Sequence, residues 1–249
     1  MVYITGDTHA RFSRLMPNCF EAAKQMTKDD TVIVCGDFGL WLPDKEDKKR
    51  LDSVEKLPFT TVWVDGNHED FDRLKSGEFE TVDFHGAKAD RIRDHVFHIR
   101  RGEIMELEGK SFWCFGGASS HDVQDGILDP RKYSRDELSE LIEYLNAMRA
   151  RYRILGYSWW PEELPSQKEM DHGIETLQNY GGKVDYIVTH CAPFFVQKLL
   201  GFEGTDRLVE YFSEISAQFE FKRWFFGHYH DDKSFDRFRL LYYNMERII

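Results

Sequence analysis

The chain has 249 residues, 41% of them hydrophobic and 31% charged, with a formal net charge of −11. That composition is ordinary for a folded domain, and the acidic balance excludes a broad nonspecific grip on nucleic acid, which needs a basic face. No apolar run reaches membrane-spanning length and a strand-like run begins at residue 2, so the sequence predicts a cytoplasmic protein without a signal peptide or membrane partner.

Val2, Tyr3, Ile4 and Thr5 are strand formers in an apolar run that Gly6 breaks, and Asp7 and His9 follow two residues apart. In extended backbone that spacing turns both side chains to one face. Residues 18–28 read as a helix with Phe20, Ala23 and Met26 on one side. Residues 31–35 form a second buried strand ended by Gly36-Asp37-Phe38-Gly39, and residues 47–56 a polar helix. Residues 59–64 form a third strand, ended by Asp65-Gly66-Asn67-His68-Glu69. Such alternation predicts parallel strands joined by crossovers.

Beyond residue 84 the texture changes to short alternating runs at 95–99, 103–107 and 111–115. The last two, joined by Glu108-Gly109-Lys110, predict an antiparallel hairpin. Arg91, Arg93, Arg100 and Arg101 form a local basic exception, expected as a solvated rim, and Gly116-Gly117-Ala118-Ser119-Ser120 reads as a flexible loop. Ser134 opens a capping box ahead of Leu138, Leu141, Ile142, Leu145 and Met148, and Ser166 opens another ahead of a helix stopped by Gly181-Gly182. Residues 184–189 are a strand ending at His190, and 206–219 an amphipathic helix. Residues 221–226 are a strand ending at Gly227-His228-Tyr229-His230, and 239–243 a final one. With no repeat or linker, residues 1–249 are expected to be one domain, with 116–182 as a substrate-side insertion. Cys19, Cys35, Cys114 and Cys191 are scattered and are expected as buried thiols of a reducing compartment.

Five strands therefore end in oxygen or nitrogen donors: Asp7 and His9, Asp37, Asn67, His190, and His228 with His230. In open α/β sheets ligand sites lie beyond the carboxyl ends of the strands. Asp7-Thr8-His9, Gly36-Asp37, Gly66-Asn67-His68-Glu69, Thr189-His190 and Gly227-His228-Tyr229-His230, in this order, resemble the five signatures of the calcineurin-like metallophosphoesterase superfamily. The resemblance spans residues 7 to 230. It implies an α/β fold, a four-layer α/β/β/α sandwich around two mixed β-sheets. It also implies that Asp7, His9 and His230 hold one metal ion, that Asn67, His190 and His228 hold a second, and that Asp37 bridges them.

The implied activity is hydrolysis of phosphate mono- or diesters by attack of a metal-bridging hydroxide. His68 is implied to protonate the leaving oxygen or to hold phosphate oxygens. Two divalent or trivalent ions are expected. Imidazole, carboxylate and amide donors without thiolate favour Mn, with Fe or Zn as alternatives, over Ca. Glu69, or else Asp70, reads either as a carboxylate orienting His68 or as an ordinary helix-start acid.

Asp37 is followed by Phe38-Gly39-Leu40-Trp41, without the aspartate–arginine continuation of phosphoprotein Ser/Thr phosphatases. The sequence therefore argues against a phosphoprotein substrate and leaves charge stabilisation to the ions and His68. On the substrate side, Ser119 and His121 read as phosphate or base contacts or as plain surface loop. Trp159 and Trp160 read as a stacking wall or as core packing, and Phe38 and Trp41 as a roof. The expected substrate is a small phosphate ester or nucleotide-like molecule, with no extensive nucleic-acid surface. A nuclease or cyclic-nucleotide-type phosphodiesterase, and a noncatalytic metal-binding scaffold, are the alternatives; the oligomeric state is not legible.

Overall fold

Side-chain alternation along three short strands sets the architecture. The computed structural model describes residues 1–40 and 45–249. In β1 (Val2–Thr5), β2 (Thr31–Val34) and β3 (Thr60–Trp63), successive side chains face opposite ways. Val2, Ile4, Ile33 and Val62 enter one apolar cluster, while Val32, Val34 and Trp63 enter another. A parallel sheet covered on both faces needs such continuous apolar runs, and these strands do pair in parallel. Helix α1 (Lys45–Glu55), in the crossover to β3, buries Leu51 and Val54 in the second cluster.

The connection from β1 to β2 corrects the sequence reading. Instead of a helix over 18–28 there are two 3₁₀ turns, Phe12–Leu15 and Glu21–Gln25. Phe20 and Met26 both take extended backbone, leaving too short a stretch between them for the costly nucleus of an α-helix. Phe20, Ala23 and Met26 are nonetheless buried together, as their spacing implied.

Asp70 accepts the Arg73 amide and caps α2 (Phe71–Lys75), which leads into β4 (Glu80–Phe84), β5 (Ala87–Arg93) and β6 (Val96–Ile99). β7 (Glu103–Leu107) and β8 (Lys110–Phe115) form the expected hairpin. β9 (Ile127–Leu128) and β10 (Arg153–Ile154) pair as a small separate ribbon. Between them lies α3 (Arg135–Ala147), and after them α4 (Gln167–Asn179); both helices begin with the full capping box read from Ser134 and Ser166. β11 (Lys183–Thr189), α5 (Phe194–Leu199), α6 (Arg207–Gln218) and β12 (Glu220–Phe226) follow. The chain ends in β13 (Lys233–Phe235), β14 (Phe238–Leu240) and β15 (Met245–Arg247).

The result is a mixed α/β fold with two large mixed sheets, ordered β15-β1-β2-β3-β6-β5-β4 and β13-β14-β12-β11-β8-β7. Ile4, Ile33 and Val62 of the first sheet share a cluster with Phe112, Cys114, Val188 and Phe225 of the second, so the sheets face one another. The opposite face of the second sheet packs Trp113, Ile187 and Trp224 on Leu177 of α4 and Phe212 of α6. The final strand is shorter than expected: the Asp232 carboxylate accepts the amides of Tyr242, Tyr243 and Asn244, which breaks the extended run after β14.

Two smaller expectations also change. Arg101 is not on a solvated rim but buried against Asp65, with Nε at 2.9 Å from Oδ2, and Cys19 is exposed while the other three cysteines are buried. No helix among the described residues is long and apolar enough to cross a membrane.

Candidate metal centre

The loops leaving β1, β2, β3, β11 and β12 meet at one place. One ligand atom each from Asp7, His9, Asp37 and His230 lie within 4.8 Å of one another. Within that group, Asp7 Oδ2 is 3.2 Å from His230 Nε2, and Asp37 Oδ2 is 3.7 Å from His9 Nε2. On the other side of Asp37, its Oδ1 lies 3.4 Å from His190 Nε2, and that nitrogen lies 3.3 Å from Asn67 Oδ1. The His228 ring packs edge-on to His190 with centroids 4.9 Å apart. Neighbouring donors around an ion with bonds of about 2.1 Å sit roughly 3 Å apart. The donor spacing and the oxygen-and-nitrogen chemistry therefore fit metal ions.

Local backbone geometry holds this convergence. His9, Asp37, His228 and His230 all have positive φ, at 44°, 46°, 71° and 49°. Such conformations are strained for residues with a Cβ and persist where surrounding structure over-determines them, commonly at functional sites. The sequence reading assumed extended backbone after Gly6; the left-handed turn at His9 replaces it. Two glycines are required by close approach. A Cβ on Gly66 would lie 2.0 Å from Asp37 Oδ1, and one on Gly227 would lie 2.1 Å from Asp7 Oδ1.

Hydrogen bonds then aim the donors. His190 Nδ1 lies 2.7 Å from the Cys35 carbonyl, which leaves Nε2 facing Asp37 and Asn67. Burial alone would lower the His190 pKa, but Asp37 and Asp7 raise it to about 10. A metal ion binding there would displace that proton, which would make its affinity depend on pH. Asp37 receives the His68 amide at 2.8 Å, and Asp7 receives the His228 amide at 3.0 Å. Burial opposes ionisation of Asp37, yet His190 and His68 hold its pKa well below the usual carboxylate range. Arg14, which the sequence did not single out, ties the first loop by donating to the Asp7 carbonyl at 2.9 Å and to Thr5 Oγ1 at 2.5 Å.

The Asn67 amide is oriented from behind: its Nδ2 donates to Ser120 Oγ at 3.1 Å, and Ser120 donates to buried Glu163 at 3.0 Å. Glu69 takes a different place from the one expected. Its two carboxylate oxygens accept the amides of Phe38, Gly39 and Leu40 at 2.7, 3.2 and 3.0 Å, so it holds the loop that carries Asp37. Burial and Asp37 raise the Glu69 pKa to about 8.

His68 stands on the wall of a cavity of about 690 Å³ that also exposes His9 and His230. Arg153 Nη2 lies 3.3 Å from His68 Nε2 and forms a two-point pair with Asp122, at 2.8 Å from Nε to Oδ1. This arginine comes from the segment 116–182. Burial is the main cause lowering the His68 pKa, and Arg153 adds to it.

The substrate-side residues separate. His121 Nε2 comes within 2.7 Å of His228 Nε2, at the second donor group, and its ring stacks on Phe202. Ser119 instead donates to Asp206, the cap of α6, at 2.5 Å. Trp160 lines the cavity but is mostly packed inward, its Nε1 donating to Asp72 at 3.0 Å. Trp159 is not among the lining residues. Phe38 is no roof: the left-handed turn at Asp37 sends it into the core, stacked on Trp63 at 4.8 Å. Trp41 lies outside the described residues. Tyr242, unmarked by any sequence motif, stacks on His230 at 4.6 Å.

The family model for calcineurin-like phosphoesterase matches residues 1–232 of this chain. Among curated proteins, no sequence matches it.

Proposed function

The chain belongs to the calcineurin-like phosphoesterase family, and from that premise we propose that it is a dinuclear phosphohydrolase cleaving small phosphate mono- or diesters. Metal-dependent hydrolysis of phosphate esters follows from the family. The observation that carries the dinuclear reading is Asp37, whose Oδ2 faces His9 while its Oδ1 faces His190. Asp7, His9 and His230 would hold one ion, Asn67, His190 and His228 the other, with Asp37 contributing to both. Such ions, Mn first with Fe or Zn as alternatives, would supply the positive charge that acidifies a water and neutralises phosphoryl oxygens.

The chain's own residues do the rest. His68 gives its proton to the departing oxygen, a step worth roughly 10²–10⁴-fold. Arg153, anchored by Asp122, holds a phosphoryl oxygen beside His68 and so performs the charge stabilisation that the second motif lacks. Ser120 and Glu163 keep the Asn67 oxygen turned toward the donors. Glu69 keeps Asp37 in its left-handed turn. We read residues 1–249 as one cytoplasmic domain of four α/β/β/α layers, with 116–182 supplying Arg153, His121 and Trp160 from the substrate side. The three apolar clusters support the layering.

The test is metal analysis of the purified chain together with turnover of p-nitrophenyl phosphate and bis(p-nitrophenyl) phosphate after reconstitution. Two metal equivalents and turnover, both abolished in Asp37→Ala, are expected. Unchanged turnover in Asp37→Ala would overturn the mechanism, and tight metal with no turnover of either ester would favour a noncatalytic scaffold. The ratio of the two ester rates separates a monoesterase from a diesterase or nuclease.

A further inference from the structure

The cavity that begins at His9, His68 and His230 does not end there. Its lining also carries Arg11, Arg50 and Arg153, brought from three separate parts of the chain, with Arg153 beside His68. This is a local inversion of sign in a protein with a net charge of −11.

The three guanidinium groups differ in how they are satisfied. Arg153 is anchored by its two-point pair with Asp122. Arg11 and Arg50 have no acidic partner among the described residues, and Arg50 Nη1 is buried without any hydrogen-bond partner. Other arginines of this chain are held by acids: Arg73 by Asp47 and Glu78, Arg93 by Asp52, Arg100 by Asp90, Arg239 by Glu246. A guanidinium without an acid beside it keeps its charge available, so Arg11 and Arg50 offer that charge to an anion seated in the chamber. Guanidinium groups present paired donors suited to phosphate oxygens.

Size and lining point the same way. A volume of about 690 Å³ is in the range that takes a nucleotide-sized molecule, far more than one phosphate needs. The lining is also aromatic, with Tyr157 and Tyr242 offering surfaces for a ring to lie against and Trp160 packed behind.

We infer that this chamber is a subsite for a second phosphate, so that the substrate class is organic phosphate esters carrying a further phosphate group beyond the scissile one. The sugar or base joining the two phosphates lies along Tyr157 and Tyr242. This inference rests on the phosphoesterase reading of the histidine–aspartate cluster, and its test therefore has one arm that needs no turnover.

In the first arm, adenosine 3′,5′-bisphosphate and adenosine 5′-monophosphate are titrated calorimetrically into metal-loaded chain bearing His68→Gln. The bisphosphate is expected to bind at least about tenfold more tightly, the effect of one charge-assisted contact. Arg50→Gln or Arg11→Gln is expected to cut that ratio about fivefold or more, and Arg50→Lys to restore part of it. In the second arm, the ratio of kcat/KM for the two nucleotides is measured with His68 intact, and the same substitutions lower it. Equal binding of the two nucleotides, or a ratio that both arginine substitutions leave untouched, overturns the subsite. Should Arg50→Gln fail to fold, Arg11→Gln at its exposed position decides the matter. A binding preference that depends on these arginines in a chain that turns over no ester would sink the hydrolase reading and leave the subsite standing.

Discussion

The Nε2 atoms of His9 and His230 lie 2.9 Å apart, although 221 positions separate the two residues in the chain. Two imidazole nitrogens meet that closely only around something shared, a proton or a cation. Asp7 Oδ2, 3.2 Å from His230, and Asp37 Oδ2, 3.7 Å from His9, complete a donor group whose charge suits a cation. Removing metal with a chelator should therefore lower Tm, and added Mn should restore it. At a free metal concentration of about 100 times Kd, the gain is roughly 2.7 kcal/mol. A melting curve that ignores both chelator and metal would contradict a resident ion.

Ser120 supports a prediction about one ion position and not the other. Its hydroxyl links Asn67 Nδ2 to Glu163, and without it the Asn67 amide is free to turn its nitrogen toward the donors. Ser120→Ala should weaken metal affinity at the Asn67 side by roughly 10–100-fold, the usual cost of losing such support. Binding at the His9–His230 side should hold. Titration followed by metal analysis distinguishes one weakened site from two; equal loss at both would point to general damage.

Glu69 gives a prediction of stability. Its carboxylate accepts the amides of Phe38, Gly39 and Leu40 in a fully buried position. Glu69→Ala leaves these donors unpaired, and each buried orphan costs about 1–3 kcal/mol. A loss of at least about 3 kcal/mol in denaturant unfolding is expected, together with loss of bound metal as the Asp37 turn relaxes. An unchanged midpoint would show that the loop is held by other contacts.

These supports also explain what the sequence could and could not convey. The grouping of Asp7, Asp37 and Asn67, and of His190 and His228, was legible because each follows a buried strand, and parallel strands within a sheet deliver their ends to the same edge. The capping boxes at Ser134 and Ser166 were legible because their hydrogen bonds are local. Arg153 was not, since it depends on pairing with Asp122, 31 positions away, in a stretch with only a two-residue strand. The same holds for Arg50 and Tyr242, whose place on the cavity wall is fixed by tertiary packing. Phe38 was misread because nothing in Gly36-Asp37-Phe38 announces a left-handed aspartate, and that turn decides which way the ring goes. The 18–28 stretch had helical spacing, but Phe20 and Met26 within it are extended and the turn between them tightened to 3₁₀.

A last prediction concerns pH and a buried group away from the metal donors. His98 lies between two acids, Nδ1 at 3.1 Å from Asp90 and Nε2 at 3.3 Å from Asp65, while Arg101 donates to Asp65 from the other side at 2.9 Å. Burial alone would lower its pKa, but the hydrogen bonds to Asp65 and Asp90 raise it from 6.5 to about 9. The folded chain thus keeps this proton to a higher pH than the unfolded chain does. The resulting stability is fully present below pH 6.5 and is lost as pH rises through about 9. Its size is on the order of 3 kcal/mol at 1.36 kcal/mol per pH unit. Glu69 and Glu163, both raised to about 8 by burial, also weaken the fold as they ionise over this range. The readout is therefore the difference in unfolding free energy between the natural chain and His98→Gln, measured in denaturant at pH 6 and at pH 9.5. That difference should shrink by on the order of 2–3 kcal/mol toward alkaline pH, because the variant has no proton to lose there. A difference that stays constant, or widens, would mean that His98 is buried neutral and that Asp65 relies on Arg101 alone.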